Sequence, residues 1–137
     1  MSGDPSAIRS LAVSSDDVVN AFVYTRENPG TAVLRVTPPF HGRMRARLHV
    51  FQVDDTPETG AIHVRPARLL EDGIVEEFPT LEETKASLED GSCPETVREA
   101  HADAVDRWRK RARGAIVDEH VLETDEGASR VDVKRLG

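Results

Sequence analysis

From Arg43 to Val50 the chain reads RMRARLHV and alternates without a break. Arg43, Arg45, Arg47 and His49 take one parity; Met44, Ala46, Leu48 and Val50 take the other. That period of two belongs to a strand, whose successive side chains point to opposite faces. A helix would spread the same residues around its circumference. This segment therefore needs a core on one side and surroundings that tolerate a row of arginines on the other. The strand reading extends over residues 42–53. Residues 54–60 (DDTPETG) have turn composition, and 61–66 (AIHVRP) read as the returning strand. A hairpin centred near Pro57 would set Phe51 across from His63 and His49 across from Arg65. Ile62 and Val64 would then join the inward face. The outward face would gather Arg43, Arg45, Arg47, His49, His63 and Arg65.

The rest of the chain supplies the elements that can cover the inward face. Residues 8–13 (IRSLAV) read as a short strand. Residues 14–28 read as a helix with Ser15 as N-cap, and Asp16 and Asp17 sit favourably at its positive end. Asn28-Pro29-Gly30 ends that helix. Residues 31–36 (TAVLRV) read as a strand that Pro38-Pro39 stops, because proline cannot donate to a ladder. Thr80 with Glu83 three residues later forms a capping-box pattern that opens a helix over 80–91, with Gly91 as its stop. Residues 93–117 form the longest helix, with Pro94 in its first turn. Its apolar stripe is narrow and includes Val97, His101, Ala104 and Trp108, and Trp108 reads as a core anchor. Residues 119–133 read either as a hairpin around Asp125-Glu126-Gly127 or as a helix end followed by one strand. The expectation is one α+β domain spanning 1–137. It has a mainly antiparallel sheet of three to five strands packed on about three helices, in the order β-α-β-β-β-α-α-β.

At 137 residues a chain buries roughly two thirds of its unfolded surface, enough for a core of its own. Six aromatics leave Val, Leu, Ile and Ala to build that core. The single cysteine, Cys93, rules out an internal disulfide and a cysteine-based zinc site, and fits a reducing compartment. No apolar run approaches the length that spans a bilayer, and the first residues lack the pattern of a signal peptide. A cytoplasmic location without membrane contact is the expectation. Net charge is -7, yet 15 of the 18 basic residues are arginine. This acidic, lysine-poor, valine-rich composition resembles that of proteins from salt-adapted microbes, halophilic archaea above all. Charge is blocked along the chain. Residues 35–68 carry six Arg against three acids, 71–103 eleven acids against Lys85 and Arg98, and 106–113 five bases against Asp106.

Like charges side by side on a sheet repel, so the arginine face needs an offset. Glu71, Asp72, Glu76 and Glu77 are the nearest internal acids. An acidic protein surface or a nucleic acid is the external alternative, because the planar guanidinium forks onto carboxylate and phosphate. The basic run 107–113 (RWRKRAR) reads as an exposed helix face with Asp103–Arg107 and Asp106–Lys110 pairs. The five histidines show no metal-ligand spacing. No nucleophile elbow, phosphate loop or dinucleotide fingerprint is present, so no catalytic residue, metal or cofactor is implied. Cys93 at a helix N-terminus is the one reactive-thiol candidate. The chain reads as a non-catalytic binding or adaptor protein using the arginine face. The alternative is a small enzyme or ligand-binding domain that holds an anionic small molecule with the same Arg and His residues. Pairing of edge strands between two copies is a further expectation.

Overall fold

The structure, a computed structural model, describes residues 5–51, 61–88, 91–124 and 127–136. The expected turn over 54–60 lies outside these residues. The class is α+β, and the strands divide into two sheets. The first has the order β3-β1-β7-β6, where β1 is Ser10–Ser14, β3 Arg43–Arg45, β6 Glu119–Thr124 and β7 Gly127–Leu136. The second has the order β4-β2-β5, where β2 is Thr31–Val36, β4 Arg47–Phe51 and β5 Ile62–Val64. Pairing in the second sheet is antiparallel throughout. In the first, β1 runs parallel to both β3 and β7, and β6 with β7 forms the terminal hairpin.

The alternating segment is strand on both sides of Ala46, but its two halves pair in different sheets. Arg43, Met44 and Arg45 lie opposite Ser10, Leu11 and Ala12. Arg47 to Phe51 lie opposite Arg35 to Thr31. Ala46 is the corner: its side chain is 0% exposed, and its amide donates to the Ala12 carbonyl at 3.0 Å. The expected pairing of β4 with β5 is corrected here, because β2 lies between them. Phe51 faces Thr31, His49 faces Val33 and His63 faces Arg35. The strongest apolar run, TAVLRV, takes the central place because Ala32, Leu34 and Val36 are fully buried there.

Four helices are seen among the described residues: α1 (Ser15–Glu27), α2 (Asp72–Glu76), α3 (Leu81–Ser87) and α4 (Pro94–Arg113). Ser14, not Ser15, caps α1, accepting from the Asp17 amide at 3.4 Å. Ser15 is buried inside the first turn. Thr80 caps α3 through the Glu83 amide at 3.1 Å. That helix ends at Ser87, and Gly91 takes a left-handed φ of 85° in the turn before α4. Helix α2 was not expected, since its five residues are too few to show a period. None of the described helices is long and apolar enough to cross a membrane.

The helices meet the sheets around Trp108, which is 0% exposed. Its ring stacks on Phe22 of α1 with centroids 5.1 Å apart, and Phe78 packs edge-on at 4.9 Å. Its indole Nε1 donates to the Ile74 carbonyl of α2 at 2.7 Å. The Arg26 guanidinium closes the group, 4.9 Å above the Phe22 ring. Trp108→Ala is expected to destabilise by about 3–5 kcal/mol. Trp108→Phe keeps the stacking but removes the indole bond to the Ile74 carbonyl, which still accepts from the Glu77 amide at 3.2 Å, at a cost of about 0.5–1.5 kcal/mol for that bond. Urea unfolding followed by circular dichroism checks both.

Candidate functional site

The inward residues of the shared strand join the core, and the outward residues divide between two surfaces. Arg43 and Arg45 are exposed on the outer face of the first sheet. The register places Arg43, Ser10 and Asp132 in one cross-strand row, and Arg45, Ala12 and Lys134 in the next. Small residues on β1 thus separate charged ones on either side. Arg47 is exposed at the start of β4, beyond the corner.

The second surface forms on the outer side of β4-β2-β5. His49 and His63, one on each edge strand, bring their rings near parallel with centroids 5.9 Å apart and 18° between planes. Arg35 lies between them on β2, its Nη1 3.4 Å from both ring nitrogens of His49. Arg47 is its cross-strand neighbour on one side and His63 on the other. The sequence reading placed Arg35 on a strand and missed it as a site residue. Its signal was present: a lone arginine at the outward parity of an otherwise apolar strand.

Arg65 sits apart from the Arg43–Arg45 row. It is the residue before a 3-10 turn, Pro66–Leu69, that carries Arg68. Arg65 and Arg68 line one wall of a cleft of about 710 Å³. The opposite wall is β6, with Glu119, Val121 and Glu123. His120 also lines this cleft and is half-buried.

Among the described residues no acid pairs with the arginine strand. Glu77 reaches Arg111 of α4 at 4.0 Å, Asp16 reaches Arg113 at 2.7 Å, and Glu119 reaches Arg130 at 3.6 Å. Arg109 donates to the Asn20 side chain. The basic run of α4 therefore docks that helix onto α1 and α2; the expected Asp103–Arg107 and Asp106–Lys110 pairs are not what engages it. Arg43, Arg45 and Arg47 make no ion pair among the described residues.

No group of three or more His, Cys, Asp or Glu that could hold a metal occurs among the described residues. His101 meets the Thr84 hydroxyl at 3.4 Å, between α3 and α4. Cys93 is the exposed N-cap of α4, and its Sγ lies 3.1 Å from the Thr96 hydroxyl, which holds the thiol below its ordinary pKa.

Fold and surface together define a small α+β domain that displays a basic strand shared between two sheets. The chain belongs to the family described as Domain of unknown function (DUF8009), whose model matches residues 1–137. No curated protein and no solved structure matches it.

Two histidines carry a measurable electrostatic signature. Burial lowers the His63 pKa first, then the charge of Arg35, then His49. Burial also lowers that of His120, helped by Arg68 and opposed by Glu123. Each group takes its proton less readily folded than unfolded, where the value is about 6.5. Their linked stability is therefore complete above that value and falls as pH drops toward the folded pKa. An NMR titration is expected to place both midpoints below 6.5. Arg35→Gln should raise that of His63 part of the way, since burial remains.

Proposed function

We propose that this domain is a non-catalytic binding module that takes an acidic protein segment along the strand Arg43–Arg45–Arg47. One observation carries the reading. Three arginines of one parity are exposed along the bent segment that passes from β3 into β4, and none has a carboxylate partner among the described residues. Such a row is self-repelling, and a partner that supplies the carboxylates removes the repulsion.

The spacing favours an extended acidic segment. Alternate residues of a strand lie about 6.7 Å apart, so acids at every second position of an extended peptide match Arg43 and Arg45, and Arg47 follows beyond the bend at Ala46. Nucleic acid is the weaker fit, since the described residues offer no exposed aromatic beside the row for bases to stack on. The anionic small-molecule alternative is supported by the Arg35, His49 and His63 cluster, which is compact enough to hold one phosphate or carboxylate group.

The acidic, arginine-rich composition supports work in a salt-rich cytoplasm. The arginine spacing falls inside the Debye length of about 8 Å at 0.15 M salt and outside the 3 Å of molar salt. In molar salt the row no longer repels itself over that distance, and only direct forked contacts hold a partner.

Fluorescence anisotropy across a potassium chloride series tests this. The probes are a labelled peptide with glutamate at alternate positions, single-stranded RNA and duplex DNA. The peptide is expected to bind, and the Arg43→Ser, Arg45→Ser, Arg47→Ser triple variant to lose about tenfold or more in affinity, equivalent to at least about 1.4 kcal/mol. Binding of RNA or DNA alone, lost in the same variant, would transfer the site to nucleic acid. A folded protein that binds none of the three overturns the proposal.

A further inference from the structure

A smaller pocket, of about 460 Å³, opens between the C-terminal end of α1, the start of β2 and the 3-10 turn Pro66–Leu69. Strand β5 pairs with Leu34, Arg35 and Val36, and past Val64 the chain leaves β2 through Arg65 and that turn. Helix α1 takes over beside Ala32. The Thr25 hydroxyl accepts from the Ala32 amide at 3.0 Å and donates to the Ala21 carbonyl at 2.9 Å. These bonds pin α1 to β2, so the pocket between them is pre-formed. Phe22, Ala32, Val33 and Pro66 give it buried apolar surface. Arg26 and Arg65 give it positive charge, and no Asp or Glu among the described residues lines it. His63 lines it as a neutral imidazole at pH 7, since burial first, then the charges of Arg35 and His49, lower its pKa. The larger cleft shares Arg65 and His63, but its acids, Glu71, Asp72, Glu119 and Glu123, form no part of this pocket's wall.

We infer that this pocket binds a small monocarboxylate with an apolar body. The Arg26 guanidinium lies 4.9 Å from the centre of the Phe22 ring and 5.8 Å from that of Phe78. Both rings attract the cation, and neither offers it an oxygen. Among the described residues no carboxylate pairs with Arg26 or Arg65. The volume falls in the range of about 300–1,000 Å³ that holds small molecules. A guanidinium fork matches the two oxygens of a carboxylate, and an apolar body takes Val33 and Pro66 out of water. A neutral apolar molecule would desolvate the arginines without giving them an acceptor. A small inorganic anion would leave the apolar surface wet. A phosphate monoester brings a third oxygen, and the Thr25 hydroxyl on the wall is already engaged with Ala21 and Ala32. The site stands apart from the arginine strand, since Arg43, Arg45 and Arg47 do not line it.

The probe is phenylacetate, set against its neutral amide, acetate and phenyl phosphate. NMR titration of the full chain reads the backbone amide shifts. Phenylacetate is expected to shift Arg26, Thr31, Ala32, Arg65 and Ala67, with a dissociation constant of about 1 mM, ordinary for a ligand this small. Each comparison ligand lacks either the fork-matched carboxylate or the apolar body and should bind at least about fivefold more weakly. Arg65→Gln, at an exposed position, should weaken phenylacetate about fivefold and leave the amide unchanged. Arg26→Gln with Arg65→Gln should abolish phenylacetate binding. That double variant also gives up the contact with Phe22, so Arg65→Gln alone decides the matter if it unfolds. The Arg43→Ser, Arg45→Ser, Arg47→Ser variant should bind phenylacetate as the parent does, which separates this site from the arginine strand. Overturning results are no shift at about 10 mM phenylacetate, shifts confined to 43–49, binding of the amide, acetate or phenyl phosphate as tight as that of phenylacetate, or an Arg65→Gln variant that binds it unchanged.

Discussion

The amide of Ala46 donates to the carbonyl of Ala12, one residue past the end of the β1–β3 register and one before the start of β4. That bond marks where an extended segment leaves one sheet for the other. The side chain at the crossing is fully enclosed, so only a small residue fits where the two ladders meet. Most of the fold follows from this transfer. The halves of one strand recruit different partners, β1 on one side and β2 on the other. The apolar parity stays inward through the bend, with Met44, Leu48 and Val50 packed against the same core as Ala46. The eight positions of β3 and β4 become one bent surface, its β4 half packed against α1.

Much of this was legible in the residues themselves. Strict alternation gave the inward and outward sets of 43–50, because period two depends on nothing beyond the pleat. The Thr80 cap and the Pro94 start were legible for the same reason: each is a local rule that tertiary packing did not override. The terminal hairpin was one of two readings that residues 119–133 allowed, and its pairing with β1 through β7 decided between them. Partner choice was not legible. Adjacent strands commonly pair, and a turn-like segment between β4 and β5 favoured a hairpin. The more apolar β2 took the central place instead, and nothing within 42–66 records that competition. The site inherits this limit. Arg43, Arg45 and Arg47 stand exposed as alternation requires, while Arg35 joined His49 and His63 only because β2 entered between their strands.

Sequence blocks of charge turned out to serve different ends. The basic end of α4 pairs with Asp16 and Asn20 of α1 and with Glu77 beyond α2, so the longest run of bases fixes helix docking. Such exposed pairs are worth little singly; the fully buried Trp108, in the aromatic cluster, is what anchors α4. The scattered arginines of the strand face solvent without a carboxylate partner among the described residues, as Arg107 and Lys110 of α4 also do. Density of charge along a sequence is thus a poor guide to where charge remains unengaged after folding.

The central strand of the first sheet comes near the beginning of the chain, and its parallel neighbour β7 comes near the end. Ser10–Ser14 cannot complete its ladder until residues 132–136 have been made. During synthesis β1 can rest only on β3, with Leu11 and Val13 denied their final cover on the β7 side. A pairing so distant in sequence closes slowly, and an apolar strand that waits for it is open to the wrong partner. The cell therefore meets this protein first as the second sheet with α1, a half that pairs largely with its near neighbours. The first sheet is assembled last, around a strand that was among the earliest to emerge.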